Sequence, residues 1–383
     1  MQFTHKGQKA DVYFNWVFVY TVLLLIYFRK PLVSHTDTLA QNFFMRMFKY
    51  SFSQWALLSI SLISIMGCTK SSDSSTDIIG NWVTIGDIDG DARSEAVTFT
   101  VGSKAYIATG TTSTDRFNDL WEYDLNLKYW VQKASLPAAT RSSAVAFSIN
   151  DKGYIGTGYD GTNYLNDFWQ YDPSVNQWTQ KASFEGAGRY DAVAFSLNGK
   201  GYICSGFDGN YLKDLWEYDP SADSWTQKAS LGGNKRSAAM SFVLNGKAYV
   251  CSGNNNGTAL NDLWMYDQSS DSWTQKRKIS NVSDSTYDDD YTSIVRYNGV
   301  AFVMNSKAYL TTGENGSMQS TTWEYDDTKD LWTQKTSFEA SARTGACAFT
   351  LSDRGFVLTG RSGSSSYDDM YEFHPNDAKV DGD

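Results

Sequence analysis

The 383-residue sequence holds only four cysteines, five prolines and three histidines, and it has no excess of positive charge, with 33 Lys and Arg against 43 Asp and Glu. Each shortage excludes something. So few cysteines cannot frame a disulfide-stapled secreted scaffold, and so little Pro beside 30 Gly excludes a collagen-like chain. A formal charge of −10 removes the basic surface that binding to a phosphate backbone requires, so nucleic acid is not expected as a partner. Helical periodicity is missing as well, which excludes a coiled coil. Aromatic residues, by contrast, are abundant: 13 Trp, 24 Tyr and 21 Phe make up 15% of the chain. A chain of this length and composition can bury a large core, as two domains or as one large all-β domain.

Two apolar stretches precede residue 70 and stand apart from the fold. The second begins Met45-Arg46-Met47-Phe48-Lys49, continues through an apolar run from Trp55 to Met66, and ends Ile65-Met66-Gly67-Cys68 before the polar segment Thr69 to Ser75. Its apolar run is shorter than the roughly 20 residues that span a bilayer. The basic start, short apolar run, aliphatic residue at −3, Gly at −1 and Cys resemble a bacterial lipoprotein signal. The resemblance implies a signal peptide over 45–67, acylation of Cys68, a polar tether over 68–80 and a location in the cell envelope. Thr69 stands after the Cys where an inner-membrane retention signal favours Asp, so an outer-membrane lipoprotein, periplasmic or surface-exposed, is expected. A signal starting at Met45 is complete by itself, so residues 1–44 are expected to be a non-native or untranslated extension. Beyond Cys68 the chain keeps 27 Lys and Arg against 41 Asp and Glu, a net charge of −14. An acidic surface of that size is expected to stay clear of anionic lipid, leaving the lipid anchor as the only membrane contact.

The tryptophans set a period. Trp121, Trp169, Trp216, Trp264 and Trp323 form one series, continued by Tyr371, and Trp82, Trp130, Trp178, Trp225, Trp273 and Trp332 form a second. Most steps are 47 or 48 residues, and one of 59 marks an insertion in the fifth unit. Gly110, Gly158, Gly206, Gly253, Gly313 and Gly360 follow the same beat, as do Phe99, Phe147, Phe195, Phe242, Phe302 and Phe349. Each unit has four short strand-like segments between Gly, Asn, Asp and Ser turns, in the third unit Asp191–Leu197, Gly201–Ser205, Leu215–Asp219 and Ser224–Lys228. Four strands in a repeat of about 48 residues describe a β-propeller blade.

Within the unit, Tyr218-Asp219-Pro220 through Trp225 and the aromatic-to-Gly end of the second strand, Tyr202 to Gly206, resemble the kelch repeat. The resemblance covers residues 81–383 and implies an all-β, six-bladed propeller of four-stranded blades, and with the leader a bacterial kelch-repeat lipoprotein. The family's paired glycines are here a Thr or Ser followed by Gly, as in Thr109-Gly110 and Ser205-Gly206. The sixth unit lacks a Trp after Tyr371, whereas Trp82 stands before the first unit with no strands of its own. The strand around Trp82 is therefore predicted to complete blade six and close the ring, removing an exposed sheet edge. Lys133, Lys181, Lys228, Lys276 and Lys335 end the outer strands, where charge blocks edge-to-edge pairing.

Ligands of propellers bind at the mouth of the central channel. An Arg stands six residues before each Phe of the series: Arg93, Arg141, Arg189, Arg236, Arg296 and Arg343. Six guanidiniums on one face repel one another and would seek a carboxylate, sulfate or phosphate. Asp119, Asp167, Asp214, Asp262 and Asp369 precede the third strands on the same face, so pairing within each blade is the alternative, and blade five has Thr321 instead. The insertion carries Asp288-Asp289-Asp290-Tyr291, which would cap Arg296 or cover the channel. Aromatic and amide groups mix in the loops 159–164 and 207–211, a combination suited to sugar or peptide.

Asp87, Asp89 and Asp91 around Gly90 resemble a Ca²⁺ loop, although the equivalent loop ahead of Arg189 marks this as an ordinary turn position. Beyond residue 68 His374 is the sole histidine, too few for a multi-His metal centre or a copper-radical oxidase, and no cofactor is expected. Cys204, Cys251 and Cys347 read as buried apolar residues. The expectation is a monomeric binding protein for a glycan, an anionic small molecule or a protein partner. The alternative is a sugar-acid mutarotase or epimerase resembling the N-acetylneuraminate epimerases built on six kelch blades, with Glu95 or Glu185 as base. A carboxylate at the mouth with a raised pKa would discriminate the two.

Overall fold

The computed structural model describes residues 78–382, so the expected signal peptide, Cys68 and most of the tether lie outside the described residues. Within them the chain forms six four-stranded antiparallel sheets arranged as the blades of a propeller. Blade three is typical. Its inner strand Val193–Leu197 pairs with Lys200–Cys204, then Leu215–Asp219, then the outer strand Ser224–Lys228. Alternation along Val193, Phe195 and Leu197 buries one face of the inner strand, whereas all of Gly201 to Cys204 is buried because neighbouring blades cover the second strand on both sides.

Blade six is assembled from both ends of the chain. Asn81–Asp87 pairs antiparallel with Asp369–His374, placing Trp82 opposite Phe373, and forms the outer edge of the sheet that also contains Cys347–Leu351 and Arg354–Leu358. Trp82 is buried, stacks on Phe373 at 4.5 Å between ring centroids, meets Phe338 edge-on at 4.9 Å, and donates from Nε1 to the Thr336 carbonyl of blade five at 3.2 Å. The expected closure is therefore present, and one indole ties the last blade to the one before it.

The outer-strand Trp makes the same link elsewhere. Nε1 of Trp178, Trp225 and Trp273 donates to the carbonyl of Ala134, Ala182 and Ala229 in the preceding blade, at 2.7 to 3.1 Å. In return, Asp223 and Asp271 accept the N–H of Ala182 and Ala229. Inner-strand phenylalanines make the contact nearer the axis. The ring of Phe147 lies where a Cβ on Gly201 of the next blade would stand, at 2.2 Å, so any larger residue there would push two blades apart.

Two closed rings of backbone hydrogen bonds surround the channel. In the first, the N–H of each repeat's Gly donates to the carbonyl of the next blade's Arg, from Gly110 to Arg141 at 2.9 Å round to Gly360 to Arg93 at 2.8 Å. Gly110 has a φ of 99° there, and a Cβ would lie 2.9 Å from the Ser94 carbonyl oxygen. This explains why the second residue of each pair stays Gly. In the second ring, Glu95 donates to Gly345, Ser143 to Glu95, Asp191 to Ser143, Ala238 to Asp191, Asn298 to Ala238 and Gly345 to Asn298, at 2.7 to 3.1 Å. The main chain thus joins the blades round the mouth whichever side chains stand at these positions, which lets them vary.

Candidate functional site

The six arginines do not form an open ring. Each is at most 1% exposed, and in five blades the guanidinium is held bidentate by the blade's own carboxylate: Arg93 by Asp119, Arg141 by Asp167, Arg189 by Asp214, Arg236 by Asp262 and Arg343 by Asp369. In the first four the paired distances are 2.6 to 2.9 Å. Nη1 also donates to the carbonyl of the Thr or Ser before the repeat's Gly, and Nε to the carbonyl two residues earlier, as in Arg189 to Ser205 and Ala187. Each Asp of the first four blades also accepts Nε1–H of the Trp two residues on, at 2.8 Å. Burial alone would raise the carboxyls of Asp167, Asp214 and Asp262, but the hydrogen bonds and charge of their arginines outweigh it and hold them below the ordinary value. With their donors spent on the fold, these arginines have nothing to offer an anion, and the expectation that they form the ligand site is corrected.

Blade five confirms the logic by its exception. Arg296 has no carboxylate and is held by the carbonyls of Ser293, Ile294, Thr312 and Thr321 and by the Thr321 hydroxyl. Burial without a counter-charge pulls it down to about 10. The insertion neither caps it with an acid nor covers the channel. Asp288 is buried and accepts from the N–H groups of Val282 and Ser283 and from the Ser283 hydroxyl, and the Tyr291 hydroxyl accepts the N–H of Trp332 while its ring meets Trp323 edge-on. Its role is to fill the space beside blade five, where Ser293 supplies the acceptor that the missing Asp would have been.

The remaining sequence candidates separate. Glu95 is at the mouth, but Glu185 is exposed on a loop and does not line it. Asp87, Asp89 and Asp91 are all exposed, and among the described residues no three His, Cys, Asp or Glu gather to hold a metal. Cys204, Cys251 and Cys347 are free and buried, and burial pushes each thiol up to about 12.

What lines the mouth is read by comparing the blades with one another. Two residues after the Arg stand Glu95, Ser143, Asp191, Ala238, Asn298 and Gly345; they encircle a funnel of about 160 Å³. Beyond it the channel is lined by all six inner strands, with small residues such as Thr98, Ala146, Ala194 and Ala301. The funnel concentrates two carboxylates on one side. The Ser143 hydroxyl donates to Glu95 Oε2 at 3.1 Å, and Arg361 Nη2 lies 3.7 Å from Glu95 Oε1. Asp191 is pushed up to about 7, first by burial in the funnel and then by the negative charge of Glu95, against the opposing hydrogen bond of Ser143. A carboxyl that titrates near neutrality, at an opening lined by all six blades, was missed because its position is ordinary in sequence; alignment of the repeats shows it, with Glu95, as an acid among Ser, Ala, Asn and Gly.

Around the funnel the residues after the Arg and after the Gly pair through single bridges, Tyr190 with Phe207, Ser237 with Asn254, and Tyr297 with Glu314. Over blades two and three they build an aromatic shelf. Tyr159, Tyr164 and Tyr190 have ring centroids 5.4 to 5.8 Å apart, Tyr190 lies 5.6 Å from Phe207, and Phe207 lies 5.1 Å from Tyr211. The Tyr164 ring is 40% exposed, and Arg116 stacks 5.0 Å from the Tyr159 centroid. Burial and the charge of Asp191 raise Tyr190 to about 12, so it stays a hydrogen-bond donor beside the acid.

Comparison with known proteins agrees with this architecture. The family model described as "Kelch motif" matches three times, over residues 141–185, 188–232 and 236–278. A solved structure described as "Structure of YjhT" superposes with a TM-score of 0.62 at 17% identity, covering 74% of this chain and 95% of the other. No curated protein matches the sequence.

Proposed function

We propose that this chain, a kelch-repeat β-propeller, is a glycan-binding protein of the bacterial cell envelope, anchored by acylation of Cys68 and working as a monomer without a cofactor. The observation that carries the reading is the aromatic shelf running up to a funnel of carboxylate, amide and hydroxyl groups. Tyrosine faces cover the C–H faces of sugar rings, and acceptors such as Glu95 and Asp191 take hydroxyl donors that a dry pocket could not otherwise satisfy. An anionic small molecule at the funnel itself is disfavoured by those same carboxylates. Asn81 pairs with His374 at the end of the sheet opposite Asp369, the residue that pairs with Arg343 at the mouth.

A screen of neutral and charged oligosaccharides with the purified protein tests the reading. Binding that falls about tenfold or more in both Tyr164→Ala and Tyr211→Ala is expected; ligands that bind both variants as well as wild type would refute it. Acyl labelling tests the anchor, since Cys68→Ser is expected to abolish it.

A second reading, a sugar-acid mutarotase or epimerase, is favoured by Asp191 alone, whose pKa of about 7 suits a general acid or base. Glu95 then acts by raising Asp191, and Asp191→Asn is expected to abolish turnover while retaining binding.

A further inference from the structure

The shelf does not end at Tyr211. Beyond it, between the loop of blade three and the hairpin Asn254–Ala259 of blade four, lies a second cavity of about 450 Å³ lined by Phe207, Asn210, Tyr211, Lys235, Asn255 and Asn256. It is separate from the funnel and of a different character. Lys235 is exposed and makes no ion pair or hydrogen bond among the described residues, whereas many of the lysines there are paired, as Lys200 is with Asp219 and Lys247 with Asp267. The nearby Asp208 is turned onto the N–H of Asn210 at 2.9 Å. Main-chain bridges hold both walls in place, from Phe207 to Tyr190 and Tyr211 and from Leu212 to Arg236 next to Lys235.

Resting on the glycan-binding reading, we infer that this cleft is an acidic-sugar subsite, in which Lys235 receives a carboxylate or sulfate on a sugar ring stacked against Tyr211. The two cavities then order the ligand. Carboxylates repel an anionic group from the funnel while the unpaired ammonium attracts it to the blade three and four cleft, so an acidic oligosaccharide is bound in one direction, with a neutral unit at Glu95 and Asp191. The ligand class is an oligosaccharide of at least two units, because the rings of Tyr190, Phe207 and Tyr211, 5.6 and 5.1 Å apart in succession, lead from the funnel to the cleft.

Calorimetric titration with a trisaccharide that carries one terminal uronate on two neutral units, its methyl-esterified form and a disaccharide bearing a single sulfate provides the test. The charged trisaccharide is expected to bind about tenfold more tightly than its ester, and to lose that margin in Lys235→Ala and in moderate salt, while Lys235→Arg retains it and ester affinity stays unchanged throughout. A margin for the trisaccharide but not the disaccharide assigns carboxylate, and the reverse assigns sulfate. Neutral glycans that bind, with charged ones showing no dependence on Lys235, would overturn the subsite and leave the general reading standing; failure of every glycan would overturn both.

Discussion

Ser143 donates its hydroxyl to Glu95 at 3.1 Å, linking blade two to blade one at the channel mouth, with Asp191 of blade three next to it as the carboxyl that holds a proton near pH 7. Both acids sit on a ring closed by backbone hydrogen bonds, so their separation is fixed by the propeller rather than by their own attraction.

The first prediction concerns that proton. Asp191 has a folded pKa of about 7 against 3.8 for the free side chain, so between these values the folded chain holds a proton that the unfolded chain has lost. Stability contributed by this group is therefore present at acid pH and falls as pH rises from about 4 to 7. Asp191→Asn removes the dependence. Denaturant midpoints should rise in the variant at pH 8 and match wild type much more closely at pH 4; equal differences at both would show that the carboxyl titrates normally.

The second concerns the buried pairs, where the sign is reversed. Asp167, Asp214 and Asp262 are held below 3.8, so they stabilise the fold above the ordinary carboxylate pKa and lose that contribution as pH falls through their lowered values. Asp214→Ala leaves Arg189 buried and uncompensated and is expected to cost about 3–5 kcal/mol. Arg189→Met combined with Asp214→Leu should recover most of this in chemical denaturation.

Closure gives the third. Trp82 fills the space between Phe373, Phe338 and Phe302 and donates to blade five, so Trp82→Ala should cost about 3–5 kcal/mol. Limited proteolysis should then cut first near Asn81–Asp87. A first cut in blade three instead would contradict the closure.

Main-chain geometry gives the fourth. Ala238 and Gly345 occupy the same position in blades four and six with φ of 52° and 62°. A left-handed conformation costs a residue with a Cβ about 1–2 kcal/mol, so Ala238→Gly should stabilise the fold by up to about 1 kcal/mol. Gly345→Ala should destabilise it by at least as much, because its Cβ would also approach Glu95 Cγ at 3.2 Å. Thermal midpoints that move in the same direction would refute the account.

The architecture was readable because packing repeats. Trp at two places per unit, Phe on the inner strand and Gly at the blade junction each recur for a physical reason, and Trp82 out of place revealed the closure before any coordinates did. The same regularity misled about the site. Arg at a fixed offset in all six blades resembles a designed ring, but a residue that every blade needs is one that every blade uses internally, and its partner is Asp two before Trp in four blades, Asp369 in the sixth and Thr321 in the fifth. Function sits where the repeats disagree. Asp191 and Lys235 break their series, and no single-unit pattern marks them; the strand ends of unit three differed from expectation by only one or two residues.

The central claim, that the mouth and its aromatic shelf bind sugar, is tested most directly by titrating the protein with the best oligosaccharide of a screen while following tyrosine fluorescence and heat. Wild type should bind, Tyr164→Ala and Asp191→Asn should each weaken binding about tenfold or more, and Glu185→Gln should change nothing. Full affinity in the first two variants would contradict the account.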